Sequence, residues 1–227
     1  MHGTYEQSLN TKVAWSLIHA LSVLVVGWVL LGNGLEAILN PFLSDIPQGN
    51  PTRNGLLFFC SIVLFIRMNI TGFVFIKRRF GWNETLQVGI WLWIIHLTFA
   101  ILGGLQSAAI SVWDWIGLGL FLFGSYLNTG SEWQRHQFKK KPDSKGQLFT
   151  KGLFRYSMHI NYFGDVVWAI GFALLTHNPW AFLIPFIMLL SFIFFHIPVL
   201  DRYLSKRYGK QFEEYAQRTH KLIPFIY

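Results

Sequence analysis

Residues 12–32 read KVAWSLIHALSVLVVGWVLLG. Apart from Lys12 at its edge, the stretch carries no formal charge. About 20 helical residues are what the hydrocarbon core of a bilayer requires. The stretch is too long for a signal-peptide core and lacks a clear small-residue cleavage site, so it reads as a retained membrane helix. Working outward, further apolar runs follow at 55–76, 86–109, 112–130, 162–175 and 180–200. The run at 162–175 is short and is expected to begin earlier, to tilt, or to cross only in part. The expected fold class is all-α: a polytopic integral membrane helical bundle of about six transmembrane helices plus a C-terminal amphipathic helix. It reads as a single membrane domain.

Composition agrees with that reading. The chain has 227 residues, 52% apolar and only 13% charged, where a soluble domain carries about 25% charged residues. Six spans consume roughly 120 residues and leave no room for a separate soluble domain of usual size. Aromatic residues make up 18%, including ten Trp, a type that favours the membrane–water interface. The lone Cys60 excludes an internal disulfide and a cysteine-based metal site, and no metal site is expected.

A net charge of +8 would suggest nucleic acid in a soluble protein. Its distribution gives a different answer. With a cytoplasmic N-terminus, the inside segments are 1–12, 77–85, 131–161 and 201–227. They hold 1, 3, 7 and 6 basic residues, 17 of the chain's 19. Only Arg53, outside, and Arg67, within the second span, fall elsewhere. This one-sided bias places both termini in the cytoplasm and removes any need for a nucleic-acid partner. The stretch 33–54, with Pro41, Pro47, Gly49 and Pro51, reads as an irregular external connection. The ending DRYLSKRYGKQFEEYAQRTHKLIPF (201–225) reads as one amphipathic helix stopped by Pro224. Its apolar side carries Tyr203, Leu204, Tyr208, Phe212 and Tyr215.

Polar residues in apolar surroundings are the candidates for chemistry. A charge at mid-bilayer costs about 2.5–3.5 kcal/mol on insertion scales. Arg67, ten residues before Lys77 and so about 15 Å from it along a helix, is either the wall of a cavity or a structural donor to a neighbouring helix. His96 and His19 read first as buried imidazoles bonded to helix carbonyls, and His96 second as an acid or ligand. Glu84 suits the positive end of a helix dipole, or an active-site acid. Glu84, Arg67 and His96 are the candidate catalytic residues. Asn128, Glu132, Arg135 and Lys139 form one helical stripe leaving the fourth span. Asn161 and Asp165, then His196 and Asp201, bring further polar groups to the same depth. Amides, carboxylates, bases and aromatics at one level suit a polar cofactor and leave the lipid side to an apolar substrate. The sequence has no GxGxxG, P-loop, HExxH or nucleophile elbow.

Residues 128–227 resemble the C-terminal part of the steroid 5-alpha-reductase and sterol (delta-14) reductase superfamily. The resemblance rests on three segments: LNTGSEWQRHQFKKKP (127–142), GLFRYSMHINYFGDVVWAIGFALL (152–175) and KRYGKQFEEYAQRTHKLIPFIY (206–227). It implies an NADPH-dependent reductase of a C=C bond in a steroid-like or other lipophilic substrate. Residue by residue, it implies cofactor binding by Asn128, Glu132, Lys139 or Lys140, Tyr156, Asn161, Asp165, His196, Asp201 and Tyr215, with Arg135 on the same stripe. The chain departs from the family pattern at Glu132, where the family has Asp. It departs again at Met158, His159 and Ile160, where sterol reductases have Arg-His-Pro, and at Ile197 and Leu200 in place of arginines. Residues 1–127 do not align with these reductases. Isoprenylcysteine carboxyl methyltransferases, more distant relatives with a similar ending, imply S-adenosylmethionine instead. A non-catalytic lipid-binding role is the third alternative.

Overall fold

A computed structural model describes residues 8–227. The described residues form nine α-helices: α1 (Leu9–Leu31), α2 (Gly34–Leu39), α3 (Pro51–Ile70), α4 (Trp82–Gly104), α5 (Val112–Lys139), α6 (Ile160–Leu175), α7 (Leu183–Ser191), α8 (Ile197–Tyr208) and α9 (Lys210–Arg218). π-helical turns extend α3 at Thr71–Phe75 and join α7 to α8 at Phe192–His196. Four helical stretches are long and apolar enough to cross a membrane: Leu9–Leu31, Pro51–Phe75, Trp82–Gly104 and Pro179–Tyr208. The other two expected spans are α5, whose 28 residues end in a polar stripe, and α6, with 16 residues. Leu17, Leu21 and Leu24 on α1 are 65, 55 and 70% exposed. Large apolar side chains turned outward in this way identify a lipid-facing surface. The N-terminal end of the first inside segment, residues 1–7, lies outside the described residues.

Local chemistry explains the helix boundaries. The Asn50 side chain accepts from Thr52 N at 3.0 Å and Arg53 N at 3.2 Å, with Pro51 in the first turn, a strong start signal. The connection read as irregular therefore contains α2 and the first residues of α3. The third apolar run was expected to reach residue 109, but α4 ends at Gly104. There the chain turns so that the carbonyls of Gln106, Ala108 and Ala109 accept from the Arg53 guanidinium. The C-terminal amphipathic helix is two helices. Gly209, at φ 51°, separates α8 from α9, and α9 stops at Arg218, well before Pro224. The left-handed conformation at Gly209 costs a glycine little and redirects the chain.

The chain divides into two units. Residues 1–119 with 171–182 form unit 1, and residues 120–170 with 183–227 form unit 2. Each unit is discontinuous in sequence.

In unit 1, α1 packs on α3 and α4. Lys12, 5% exposed, donates to Ile76 O at 2.7 Å, and Thr11 Oγ1 donates to Phe80 O at 2.6 Å. These two bonds tie the start of α1 to the turn before α4. Arg53 and Asp114 form a fully buried ion pair, Nε to Oδ1 at 2.8 Å.

In unit 2, α5 and α6 approach backbone to backbone. A Cβ at Gly124 would lie 2.2 Å from Trp168 N, and one at Gly164 would lie 2.6 Å from Asn128 N. These two glycines admit the contact that brings the polar stripe of α5 against the start of α6.

Candidate functional site

Unit 2 joins four of the polar candidates, Asn128, Glu132, Arg135 and Asn161, in a connected network. Asn128 Nδ2 donates to Asn161 O at 3.2 Å, and Asn161 Nδ2 donates to Glu132 Oε1 at 3.1 Å. Arg135 donates to the other oxygen of Glu132. The Arg135 guanidinium lies 5.7 Å from the centre of the Phe154 ring. Asn128 and Glu132 are buried, while Asn161 and Arg135 are partly open. One turn further along α5, the exposed Lys139 amine donates to Gln147 O and, at 3.2 Å, to Tyr208 Oη. It also sits 5.3 Å from the Tyr208 ring centre. Lys140 is exposed beside it.

The segment between α5 and α6 is clamped in place. Leu153 N donates to Gln134 Oε1 at 2.9 Å, and Gly152 takes φ 60° to allow it. Tyr215 on α9 is 2% exposed and donates its hydroxyl to Phe154 O. Burial pushes the Tyr215 phenol well above its ordinary range, so it stays a donor at every physiological pH. Tyr215→Phe is expected to cost about 0.5–1.5 kcal/mol, read by thermal unfolding in detergent, with no change in its pH dependence between pH 6 and about 9.

A second set surrounds His159, which the sequence presents only as part of a departed triplet. His159, 1% exposed, donates from Nε2 to Asp201 Oδ1 at 2.8 Å, and Lys221 Nζ lies 3.7 Å from Asp201 Oδ2. The His159 ring stacks on Tyr162 at 5.6 Å, and Tyr162 stacks on Phe192 at 4.6 Å. His196 meets Phe192 edge-on at 5.6 Å and bonds to Ser191. The C-terminal segment closes over this set. Met158 N and His159 N donate to His220 O and Lys221 O, and Ser157 Oγ donates to Leu222 O at 2.7 Å. Asp165 accepts from Trp168 Nε1 at 2.8 Å. Tyr156 lies under Arg155 and meets Phe225 edge-on.

The structure thus brings Asn128, Glu132, Arg135 and Asn161 together, and Asp201 and His196 around His159 and Tyr162. His159, Ser157, Tyr162, Phe192 and Lys221 are absent from the sequence-derived candidates. The pairing of a buried imidazole with a carboxylate 42 positions away leaves no local pattern to read. The stacking of Tyr162 on Phe192 is equally non-local.

The candidate catalytic residues all lie in unit 1. Glu84, in the first turn of α4, is engaged by Arg78. Arg67 is 4% exposed on α3. His96 Nδ1 meets Ser22 Oγ at 2.9 Å rather than a helix carbonyl. His19, expected to bond to a carbonyl, makes no hydrogen bond among the described residues. A recess of about 370 Å³, lined by Trp113, Leu174, His177, Asn178, Pro179 and Phe182, contains none of the predicted site residues. Among the described residues no three His, Cys, Asp or Glu are placed to hold a metal ion.

Residues 67–219 match the family described as "Protein of unknown function (DUF1295)". The chain belongs to this family. Its similar proteins are enzymes of the two kinds that the C-terminal segments resemble. The probable protein-S-isoprenylcysteine O-methyltransferase of Oryza sativa subsp. indica is 26% identical over 146 residues, 59% of this chain and 76% of the rice protein. The protein-S-isoprenylcysteine O-methyltransferase of Saccharomyces cerevisiae is 30% identical over 125 residues, 53% of this chain and 52% of its own length. The 3-oxo-5-alpha-steroid 4-dehydrogenase 2 of Homo sapiens is 30% identical over 115 residues, 49% of this chain and 42% of its own length. The chain therefore spans about half of the yeast relative and less than half of the human one. These relatives are enzymes by name, two methyltransferases and a steroid dehydrogenase.

Proposed function

We propose that this chain is a membrane-embedded, NADPH-dependent reductase of a C=C bond in a steroid-like or other lipophilic substrate. The observation that carries the reading is the charge state of the polar network in unit 2. Its carboxylates are already engaged: Glu132 by Arg135 and Asn161, Asp201 by His159 and Lys221, Asp165 by Trp168. The surrounding segments 131–161 and 201–227 carry 13 Lys and Arg against 5 Asp and Glu. A surplus of bases around carboxylates that already have partners suits a polyanion. It suits S-adenosylmethionine less, since that molecule has a sulfonium cation and no phosphate.

The donor set fits NADPH. Arg135, Lys139 and Lys140 would hold its phosphates. Asn128, Asn161, Asp165, Asp201, Tyr156 and His196 would hold its riboses and carboxamide. Glu132 fixes the Asn161 amide, and Tyr215 fixes the turn that carries Tyr156. NADPH supplies a hydride when bound. Reduction of a polarised C=C bond then needs a proton at the adjacent carbon or oxygen. Glu84, Arg67 and His96 are the residues we propose for polarising the substrate or moving that proton. The clustering of basic residues further supports a cytoplasmic site, with both termini on that side.

A methyltransferase of the isoprenylcysteine type is the second reading. It is favoured by the rice and yeast relatives and by the Tyr162–Phe192 stack near Asp201, since aromatic faces and a carboxylate suit a sulfonium. Mass spectrometry separates the two. The purified protein is incubated with a membrane lipid extract and either NADPH or S-adenosylmethionine. The expected product is a lipid that has gained two hydrogens in the NADPH arm only. A lipid carrying an added methyl group, formed in the other arm alone, contradicts the reductase reading.

A further inference from the structure

Unit 1 contains a buried polar cluster that cofactor binding does not use. Trp15, His19 and Ser22 lie along one face of α1 at 2, 0 and 0% exposure, and His96 of α4 is 0% exposed. The ring centres of Trp15 and His19 are 6.4 Å apart, and those of His19 and His96 are 5.0 Å apart. The Ser22 hydroxyl has one hydrogen and donates it to His19 O at 2.7 Å. Towards His96 Nδ1, at 2.9 Å, it can only accept. The His96 tautomer that matches this arrangement carries its hydrogen on Nδ1 and, when neutral, a lone pair on Nε2. Trp15 Nε1, both ring nitrogens of His19 and His96 Nε2 make no hydrogen bond among the described residues. Buried polar atoms grouped in this way are destabilising unless a hydrogen-bonding partner reaches them.

The inventory of atoms defines that ligand. Open to it are a lone pair on His96, one N–H on Trp15 and one N–H on His19. The two nitrogens of His19 lie on different edges of the ring, so one oxygen reaches one of them. An alcohol oxygen offers one hydrogen and two lone pairs, which matches the set. A metal cation fits poorly: no third His, Cys, Asp or Glu is placed to join, and the same unit buries the Arg67 cation. The packing neighbours are apolar. Phe65 meets His19 edge-on at 5.1 Å, and Phe80 and Leu92 pack with Trp15. The π-helical turn that extends α3 carries Gly72, where a Cβ would fall 2.3 Å from the Trp15 ring. Such turns recur at functional sites.

We propose that Trp15, His19 and His96 form a membrane-embedded site for the hydroxyl end of a lipophilic alcohol. The inference goes beyond the reductase reading, because the site needs no nucleotide. The test uses the full chain in phosphatidylcholine nanodiscs without nucleotide. The probes are photoreactive alkynyl cholesterol and photoreactive alkynyl geranylgeraniol, each as the alcohol and as its O-methyl ether. At least one alcohol is expected to label peptides of α1 or α4. The matching ether, which cannot donate to His96, should label about tenfold less, the value of one hydrogen bond. His96→Phe should lower labelling by the alcohol by a similar factor. Where that variant fails to fold, Trp15→Phe serves, since it keeps a ring and removes the N–H. Failure of both alcohols to label, equal labelling by alcohol and ether, or undiminished labelling of the folded variant overturns the proposal. NADPH binding is measured separately on the same preparation. Binding without labelling defeats this inference alone, and labelling without NADPH binding defeats the reductase reading alone.

Discussion

Asp114→Asn is expected to destabilise the protein by about 3–5 kcal/mol. Arg53 and Asp114 are both fully buried in unit 1. Asp114 Oδ1 accepts from Arg53 Nε at 2.8 Å, and Oδ2 accepts from Ser111 N at 2.8 Å and lies 3.0 Å from His177 Nε2. The amide keeps the shape but removes the charge, so the guanidinium stays buried with neutral acceptors alone, the amide oxygen and the carbonyls of Gln106, Ala108 and Ala109. Carbonyl dipoles do not replace a counter-ion in a low-dielectric interior. Thermal unfolding in detergent measures the loss. Arg53→Met in the Asp114→Asn background should restore part of it, because the orphaned charge is then gone. A folded Asp114→Asn variant with wild-type stability would show that the pair is dispensable.

Asn161→Ala is expected to weaken NADPH binding by about 1–3 kcal/mol. The Asn161 side chain reaches Glu132 from α6, whereas its backbone carbonyl accepts from Asn128. The substitution removes the first bond and leaves the second, so the α5–α6 contact should persist. Glu132 then keeps Arg135 alone and is free to shift, which disorders the polar face offered to the cofactor. A fluorescence titration of NADPH reads the change, with thermal unfolding as the control for folding. Unchanged affinity in a folded variant removes Asn161 from the site.

The membrane character of the chain was legible because lipid imposes a simple pattern, about 20 apolar residues per span. The stripe from Asn128 to Lys139 was legible for a similar reason, since helical spacing puts its members on one face. Other features escaped for physical reasons. Gly209 lies inside an amphipathic pattern that runs on either side of it, so periodicity hides the break that its positive φ creates. Arg53 and Asp114 are 61 positions apart, and each alone looks like an ordinary interfacial charge. The Asn50 cap and the α2 turn lie in a stretch whose prolines suggest an irregular loop. His159 was visible only as a departure from a motif, whereas Asp201 was a cofactor-binding candidate without a partner. Their bond joins the residue just before α6 to α8, within unit 2. His96 reads in sequence as a satisfied core imidazole, and only the placement of Ser22 fixes which of its nitrogens is left open.

The central claim is that the polar network of unit 2 holds an anionic nucleotide. Equilibrium binding of NADPH and of S-adenosylmethionine to the full chain in detergent, each titrated at low and at high salt, tests it most directly. Saturable NADPH binding that weakens as salt rises, with no binding of S-adenosylmethionine, is the predicted result. Saturable binding of S-adenosylmethionine with none of NADPH would contradict it.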